Sequence, residues 1–275
     1  MFPSSILCLI FSTLPIFASA SSCKTHITDS QLIAAERHYR ESLTAGRIAN
    51  RHEGSLQVVI HTHWHVVYAN ETTFGGDVAN ETIFASIDLL NWAFKKGGLA
   101  FSLSQENITR TKNAGWFESV REGNEDSMKK QLRKGGPAEL NIYTLSVGSW
   151  ATFPHDYAKK PSNDGVIYSI DALPGGWRDG RNLGHGLIHE VGHWAGLLHT
   201  FQGGCRVGDQ VDDTPPELYP SKTCVINRDT CPGDNVTDPI HNFMDYSWDN
   251  CTSEFTPGQM ERMRGQMRTY RDVDL

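Results

Sequence analysis

The 275-residue chain lacks an excess of positive charge: 25 Lys and Arg stand against 32 Asp and Glu, which gives a formal net charge of −7. Nucleic-acid-binding proteins need a basic surface, so we expect no nucleic-acid partner. Internal repeats and low-complexity tracts are also missing, which excludes repeat architectures. The rest of the composition is that of a globular protein, and 7 Trp and 12 Phe suffice for a substantial core.

Long hydrophobic runs are absent after residue 20, and a membrane-spanning helix needs about 20 apolar residues. One apolar stretch extends from Ile6 to Phe17, is interrupted by Pro15, and is followed by the small residues Ala18-Ser19-Ala20. Despite its lack of Lys and Arg, this pattern is typical of a secretory signal peptide with its cleavage site. We therefore predict a signal peptide over residues 1–20, a secreted extracellular protein and no membrane partner.

Cysteine is scarce, and one of its six copies, Cys8, belongs to the predicted signal peptide. Four of the others cluster near the C-terminus: Cys205, Cys224, Cys231 and Cys251. In an oxidising compartment these four predict two disulfides, although four cysteines allow three connectivities and the spacing does not select one. Cys23 is left without a partner.

The sequence also contains N-x-Thr sequons, which predict a secreted glycoprotein. They lie at Asn70, Asn80, Asn107, Asn235 and Asn250. Asn250 is the least favourable acceptor because the middle residue of its sequon is Cys251.

Strand and helix patterns alternate over most of the chain and predict an α+β fold. The predicted strands are residues 55–69, 99–105, 139–147 and 164–170, and the predicted helices are residues 29–43, 81–98, 126–136, about 180–196 and 255–270. Thr256 is expected to cap the last helix, with Pro257 at its first position. Residues 203–251 are rich in Gly, Pro, Asp and Cys and predict an irregular, disulfide-held subdomain. Residues 21–54, polar and ending in the linker AGRIANRHEG, form a candidate propeptide, and residues 55–275 form the main domain.

The segment HTHWH, residues 61–65, contains three histidines at alternate positions. In a strand they would share one face, about 6.7 Å apart successively, so only strong side-chain bending could bring two of them to one metal ion. Packing or surface roles are favoured for His61, His63 and His65.

The segment HEVGHWAGLLH, residues 189–199, predicts a metal site. His189 and His193 are four residues apart, which places both imidazoles on one helical face, and Glu190 can take a proton from a metal-bound water. On a continuing helix His199 would lie about 9 Å beyond His193 along the axis, too far to share the ion. Gly196 can end the helix and turn the chain back, since glycine tolerates positive φ. We therefore predict a catalytic zinc bound by His189, His193 and His199.

At this motif the chain resembles the metzincin metalloproteases. The segments HEVGHWAGLLHTFQGGC, GDQVDDTPPE, DPIHNFMDYSWDNC and FTPGQMERM are similar to the pappalysin family, in particular its small fungal secreted members, and the resemblance covers about residues 56–272. It implies a metzincin-like fold: a twisted mixed β-sheet with a backing helix and an active-site helix, plus an irregular lower subdomain. It also implies that Met244 lies beneath the metal and that Tyr246 stabilises the oxyanion.

The resemblance has further implications for the C-terminal region. It implies the pairings Cys205–Cys231 and Cys224–Cys251, and calcium as a second metal. The oxygen-rich run Asp209, Asp212, Asp213 and Thr214 fits a calcium loop and fits a solvated acidic turn equally well. A basic residue after the cleaved bond is also implied, which requires an acidic pocket; Asn250 occupies a position where an acid would help, and Asp249 is its neighbour.

The unpaired Cys23 lies near the start of the candidate propeptide. One hypothesis is that its thiolate is a fourth zinc ligand that blocks the site in the precursor, since zinc binds thiolate at about 2.3 Å. An intermolecular disulfide, a cysteinylated thiol and a bond to a reduced member of the C-terminal four remain as alternatives.

These patterns predict a secreted zinc endopeptidase that acts on protein or peptide substrates as a monomer. The alternative is a catalytically silent binding protein that keeps the fold, although a silent protein has no need of Glu190. A purely structural zinc site is disfavoured because such sites use four protein ligands, often Cys.

Overall fold

A computed structural model describes residues 23–45, 57–233 and 236–273. The predicted signal peptide, most of the linker up to residue 54 and the sequon at Asn235 lie outside the described residues.

The helices and strands of the described residues follow each other as the alternating pattern predicts. The helices are α1 (Asp29–Thr44), α2 (Asn80–Phe94), α3 (Ala114–Ser119), α4 (Asp126–Leu132), α5 (His185–Trp194), α6 (Gly204–Val207) and α7 (Pro257–Arg271). The strands are β1 (Val58–Tyr68), β2 (Leu99–Ser102), β3 (Ile108–Lys112), β4 (Leu140–Leu145), β5 (Trp150–Ala151) and β6 (Val166–Ser169).

One mixed sheet organises the main domain, in the order β2-β1-β4-β6-β5. The first part of β1 pairs in parallel with β2 and its last part with β3, while its middle pairs with β4. β6 is parallel to β4, and β5 is antiparallel to β6. The mixed sheet with helices confirms the predicted fold class. Strand β3, whose sequence ITRTK is mostly polar, was not predicted, and neither were the short elements β5, α3 and α6.

The core lies between the sheet and the helices. α2 buries Ile83, Ile87, Leu90 and Phe94, which recur at helical spacing and share one face. α2 contacts β2 and α5, and α5 contacts β5 and β6. Helix α5 is therefore held by packing against the sheet and α2.

Helix α1 buries few of its residues against the main domain. Thr28 caps it in a capping box with Gln31, and only Leu32, Tyr39 and Ser42 on it are buried. The apolar stripe predicted from the sequence was wrong at Ile33, which is 60% exposed, and at Leu43. Isolated apolar residues of this kind are normal on a surface.

The C-terminal region contains the disulfides Cys205–Cys231 and Cys224–Cys251. Helix α7 follows, with Thr256 as the N-cap of a capping box and Pro257 at the first turn. In the part of the chain that the structure describes, no helix has the length and apolar character needed to cross a membrane.

Candidate metal centre

The active-site helix α5 is shorter than the sequence pattern predicts, because it begins only at His185. Gly184, at φ 87°, precedes it and offers no side chain to cap it. The cap comes from a distant loop instead: Asp249 accepts hydrogen bonds from the backbone N–H of Leu183 (2.9 Å) and of His185 (3.4 Å). A carboxylate at a helix N-terminus is stabilised by the helix dipole, so Asp249 fixes where α5 starts.

The C-terminal end of α5 turns at Gly196, which has φ 102°. Its N–H donates to the carbonyl of His193 and the N–H of Leu197 donates to that of Gly192, both at 2.9 Å. This left-handed termination satisfies the last carbonyls of the helix. It also returns the chain, so that Nε2 of His199 lies 3.0 Å from Nε2 of His193.

The three predicted histidine ligands converge through their Nε2 atoms. Nε2 of His189 lies 3.1 Å from Nε2 of His193. Nδ1 of His189 donates to the carbonyl of Phe243 at 2.7 Å, and Nδ1 of His193 donates to that of Leu197 at 2.8 Å. These bonds fix both tautomers and leave both Nε2 atoms as acceptors. Two facing acceptors repel each other unless a cation lies between them.

The cation that fits is a metal rather than a proton. Burial lowers the pKa of all three imidazoles, to about 4 for His189 and well below the usual value for His193 and His199. Zinc–nitrogen bonds of about 2.0–2.1 Å in a tetrahedral site put two ligand nitrogens about 3.3 Å apart, close to the observed separations. Three buried imidazole acceptors at this spacing therefore suit a divalent metal ion.

Glu190 lies at the same site and is 1% exposed. Its Oε2 accepts a hydrogen bond from Oγ1 of Thr25 at 3.0 Å and one from Sγ of Cys23 at 3.5 Å. Burial raises the pKa of Glu190 to about 8, and the hydrogen bonds from Cys23 and Thr25 act in the opposite direction. A buried carboxyl group with a raised pKa is suited to both accepting and releasing a proton.

Cys23 is a free cysteine in contact with this centre. Its Sγ and the ligand atoms of the three histidines all lie within 4.8 Å of one another. Among residues 23–45, 57–233 and 236–273, this is the only cluster of three or more His, Cys, Asp or Glu side chains whose ligand atoms lie close enough together to hold a metal ion. A histidine triad and a thiol at this separation could hold one ion together.

Tyr246 and Met244 flank the centre. The hydroxyl of Tyr246 lies 3.0 Å from Nε2 of His199 and donates to the carbonyl of Cys23 at 3.1 Å. Burial raises the pKa of Tyr246, so its hydroxyl stays protonated and available as a donor. Met244 is fully buried, and its Sδ lies where a side chain on Gly192 of α5 would have to go.

The histidines of HTHWH lie apart from this centre. His61 contacts Oγ of Ser102, and His63 contacts Glu139. His65 lies between Thr109 and Asn141 and stacks on Tyr143 with 4.7 Å between ring centroids. Each has a protein partner, in keeping with the packing roles favoured from the sequence.

The acidic run near residue 210 is divided between the interior and the surface. Asp209 and Thr214 are buried, whereas Asp212 and Asp213 are exposed. Asp213 accepts hydrogen bonds from Thr256 and Gly258 at the start of α7. Calcium binding here stays a prediction, as does glycosylation at Asn70, Asn80 and Asn107.

Three contributors to the site were missed by sequence reasoning: Thr25, which binds Glu190, Asp249, which caps α5, and Phe153, whose ring packs edge-on against His193. Each lies more than 30 residues from the motif in sequence. Sequence reasoning detects motifs of residues that are close together in the chain, and an isolated Thr, Asp or Phe forms no such motif.

Comparison with known proteins agrees with this geometry. Residues 148–268 match the peptidase family described by pregnancy-associated plasma protein-A. An extracellular metalloprotease of Verticillium alfalfae is 41% identical over 256 residues, which cover 90% of this chain and 86% of the relative. Extracellular metalloprotease 1 of Coccidioides posadasii is also 41% identical, with 78% of each chain covered.

Two solved structures from Tannerella forsythia share the fold. Mature mirolysin in complex with a cleaved peptide has a TM-score of 0.69 at 25% identity, covering 79% of this chain and 97% of mirolysin. A promirolysin mutant has a TM-score of 0.77 at 23% identity, covering 91% and 95%. Together with the fungal relatives, these findings establish that the chain belongs to the pappalysin family of metalloproteases.

Proposed function

We propose that the protein is a secreted zinc-dependent endopeptidase that cleaves extracellular proteins or peptides. The observation that carries the proposal is the convergence of three imidazole Nε2 atoms beside the buried Glu190. His189, His193 and His199 would hold the zinc, and a fourth position stays open to substrate once Cys23 has left. An open position distinguishes a catalytic zinc site from a structural one.

Zinc, when bound, supplies a Lewis acid that polarises the scissile carbonyl and makes a coordinated water more acidic. Glu190 accepts a proton from the attacking water and passes it to the nitrogen of the leaving amine. Burial of Glu190 supports this double role, because the same burial that raises its pKa makes its carboxylate a stronger base.

Tyr246 would donate its hydroxyl to the carbonyl oxygen that gains negative charge during attack. The hydroxyl is already directed at the centre, 3.0 Å from Nε2 of His199. Arg181 holds the main chain of this residue, since its guanidinium donates to the carbonyl oxygen of Tyr246. A donor fixed before the reaction gives the largest electrostatic stabilisation.

We also propose that residues 23–45 form the described part of a propeptide that keeps the enzyme latent. Cys23 and Thr25 bind Glu190, and the carbonyl of Cys23 accepts the hydrogen bond from Tyr246, so the segment engages both catalytic groups. With zinc present, the Cys23 thiolate would take the fourth position and exclude water. The contact between the thiol and the three histidine nitrogens supports this role.

The test of the proposed function is Glu190→Gln, which removes the base and leaves every histidine in place. We expect full zinc content and less than about 1% of the wild-type kcat on a peptide mixture. Glu118→Gln is the matched control, because Glu118 is exposed and lies outside the site. A wild-type protein that binds zinc but cleaves nothing after removal of residues 23–45 would instead indicate the silent binding protein.

A further inference from the structure

A cavity beside the metal centre has a charge distribution that the metal-site motif does not explain. It holds about 470 Å³ of space, part of it open to solvent, and its wall includes Glu190 and His189. In the proposed function Glu190 delivers a proton to the leaving nitrogen. The carbon next to that nitrogen bears the side chain of the residue after the cleaved bond, so this cavity is placed to receive that side chain.

Two aspartates line the cavity in addition to Glu190, and both are already hydrogen-bonded. Asp249, 3% exposed, accepts from the N–H groups of Leu183 and His185. Asp245, also 3% exposed, accepts from the N–H of Ser221 at 3.0 Å and from Oγ of Ser247 at 2.7 Å. These acids could attract a basic substrate side chain only if no protein cation neutralised them.

Two arginines line the same cavity, and they differ in their partners. Arg178 forms a two-pronged pair with Asp171, at 2.7 and 3.1 Å. Arg181 has no carboxylate within 4.0 Å among the described residues, and its guanidinium donates to the carbonyl oxygen of Tyr246. Burial lowers the pKa of Arg181, and the negative charges of Asp249 and Asp245, which line the same cavity, act against that effect.

The rest of the wall combines apolar and aromatic side chains with the hydroxyl groups of Ser149, Ser247 and Thr252. Phe243, Ala172 and Tyr168 contribute to it, and Gly186 leaves room that a side chain would fill against the Tyr168 hydroxyl. Trp92 continues this surface outward: it is 55% exposed, stacks on His185 and meets Phe243 edge-on. An apolar substrate side chain that enters the cavity therefore contacts apolar and aromatic side chains.

We propose that Arg181 is a specificity-determining residue: its guanidinium shares the cavity wall with Asp245 and Asp249 and supplies a positive charge there, so that the cavity accepts an apolar residue after the cleaved bond and rejects Arg and Lys. This inference rests on the proposed function. It reverses the preference for basic residues that the family resemblance implied. A second cation would have to approach Arg181 in a partly buried site, where like charges are strongly unfavourable.

The experiment uses the secreted chain cut within residues 46–56 by trypsin, at Arg47 or Arg51. The trypsin is then blocked by a serine-protease inhibitor, and the segment that carries residues 23–45 is removed by gel filtration at high dilution. The enzyme is given a library of proteome-derived peptides, and new termini are mapped by mass spectrometry. We expect Leu, Met or Phe after the cleaved bond, at least about ten-fold above Arg and Lys. Arg or Lys as the preferred residue would overturn the inference while confirming the peptidase.

Two variants isolate the charge of Arg181. Arg181→Met keeps the length of the side chain without its charge, and we expect kcat/KM for a Lys-containing peptide relative to its Leu counterpart to rise about ten-fold. Arg181→Lys keeps the charge and should retain the wild-type ratio. The ratio is independent of general damage to the site, because both peptides depend on the same zinc and the same Glu190. An unchanged ratio in Arg181→Met would overturn the inference.

A binding measurement separates failure of this inference from failure of the proposed function. Tripeptide amides that begin with Leu or with Arg mimic the product released after cleavage. Their affinities for the cut, zinc-loaded protein are measured by calorimetry, which requires no turnover. Tighter binding of the Leu peptide by about ten-fold supports the inference even if no substrate is cleaved. Equal affinities, or tighter binding of the Arg peptide, contradict it.

Discussion

Nε of Arg262 lies 3.0 Å from the carbonyl oxygen of Gly196, so a residue of the last helix holds the turn that brings His199 back to the other two histidines. The same guanidinium forms an ion pair with Glu36 of α1. The geometry of the third ligand therefore depends on α7 as well as on α5.

Gly196→Ala is expected to lower zinc occupancy to less than half of wild type, although it changes no ligand. Gly196 has φ 102°, and a Cβ there would lie 2.5 Å from Cβ of Gln266. The left-handed conformation alone costs a residue with a side chain about 1–2 kcal/mol. Atomic absorption and thermal unfolding measure the effect. Gly136→Ala is the control, because its Cβ would meet nothing nearer than 4.0 Å; equal zinc content in both variants would contradict the prediction.

Cys23→Ala is expected to make the uncut precursor active, because the proposed block of the fourth zinc position is removed. Peptide cleavage by the intact chain is measured beside that of Ile33→Ala, whose side chain lies exposed on α1. The control precursor should stay latent. Full activity of the uncut wild-type chain, or a disulfide at Cys23 in peptide maps, would contradict the latency proposal.

Tyr246→Phe should keep zinc and lower kcat about 10²- to 10³-fold, the range for loss of one donor to a developing oxyanion. The phenyl ring preserves the packing against Phe201 and His199. Single-turnover kinetics on one peptide, with KM measured separately, check this. A rise in KM with kcat unaltered would contradict the prediction, because it would show that the hydroxyl binds the ground state and the transition state equally.

Asp164 is expected to make the free energy of unfolding decrease at acidic pH. Burial alone would raise its pKa, but Arg271 and hydrogen bonds from Arg271, Trp194 and Thr152 lower it. A carboxylate with a lowered folded pKa contributes stability above its unfolded pKa of about 3.9, and the contribution is lost as the pH falls through the folded value. Urea unfolding at several pH values between 7 and 3, followed by tryptophan fluorescence, measures this slope.

Asp164→Asn should flatten the acid slope and lower the free energy of unfolding at pH 7 by about 3–5 kcal/mol, because Arg271 is then buried without its partner. Glu71→Gln is the control: its ion pair with Lys112 is largely exposed and should contribute less than about 1 kcal/mol. Parallel pH profiles in wild type and Asp164→Asn would exclude Asp164 as the source of the slope.

The parts of the site that sequence predicts are those encoded over short distances. The spacing of His189 and His193 predicts that they share a helix face, and Gly196 predicts the turn that brings His199 back to them. Thr256 with Pro257 predicts the start of α7. The strands with regular apolar patterns were found for the same reason.

What the sequence did not predict depends on contacts between distant segments. The true start of α5 is set by Asp249, which lies more than 60 residues away along the chain. Strand β3 has few apolar residues, and its pairing with the end of β1 stabilises it instead. The position of Arg181 near the two acids of the cavity likewise depends on how the loop with Asp245 and Asp249 packs. No local sequence pattern predicts that packing.

The attachment of α1 has a consequence for the order of events during maturation. Leu32, Tyr39 and the Glu36–Arg262 pair hold this helix, and no disulfide joins it to the rest of the described chain. A cut within residues 46–56 would therefore produce two molecules in one complex, and activity would appear only as they separate. The onset of proteolysis would then depend on dilution, and the released segment would act as a diffusible inhibitor of any enzyme that it meets.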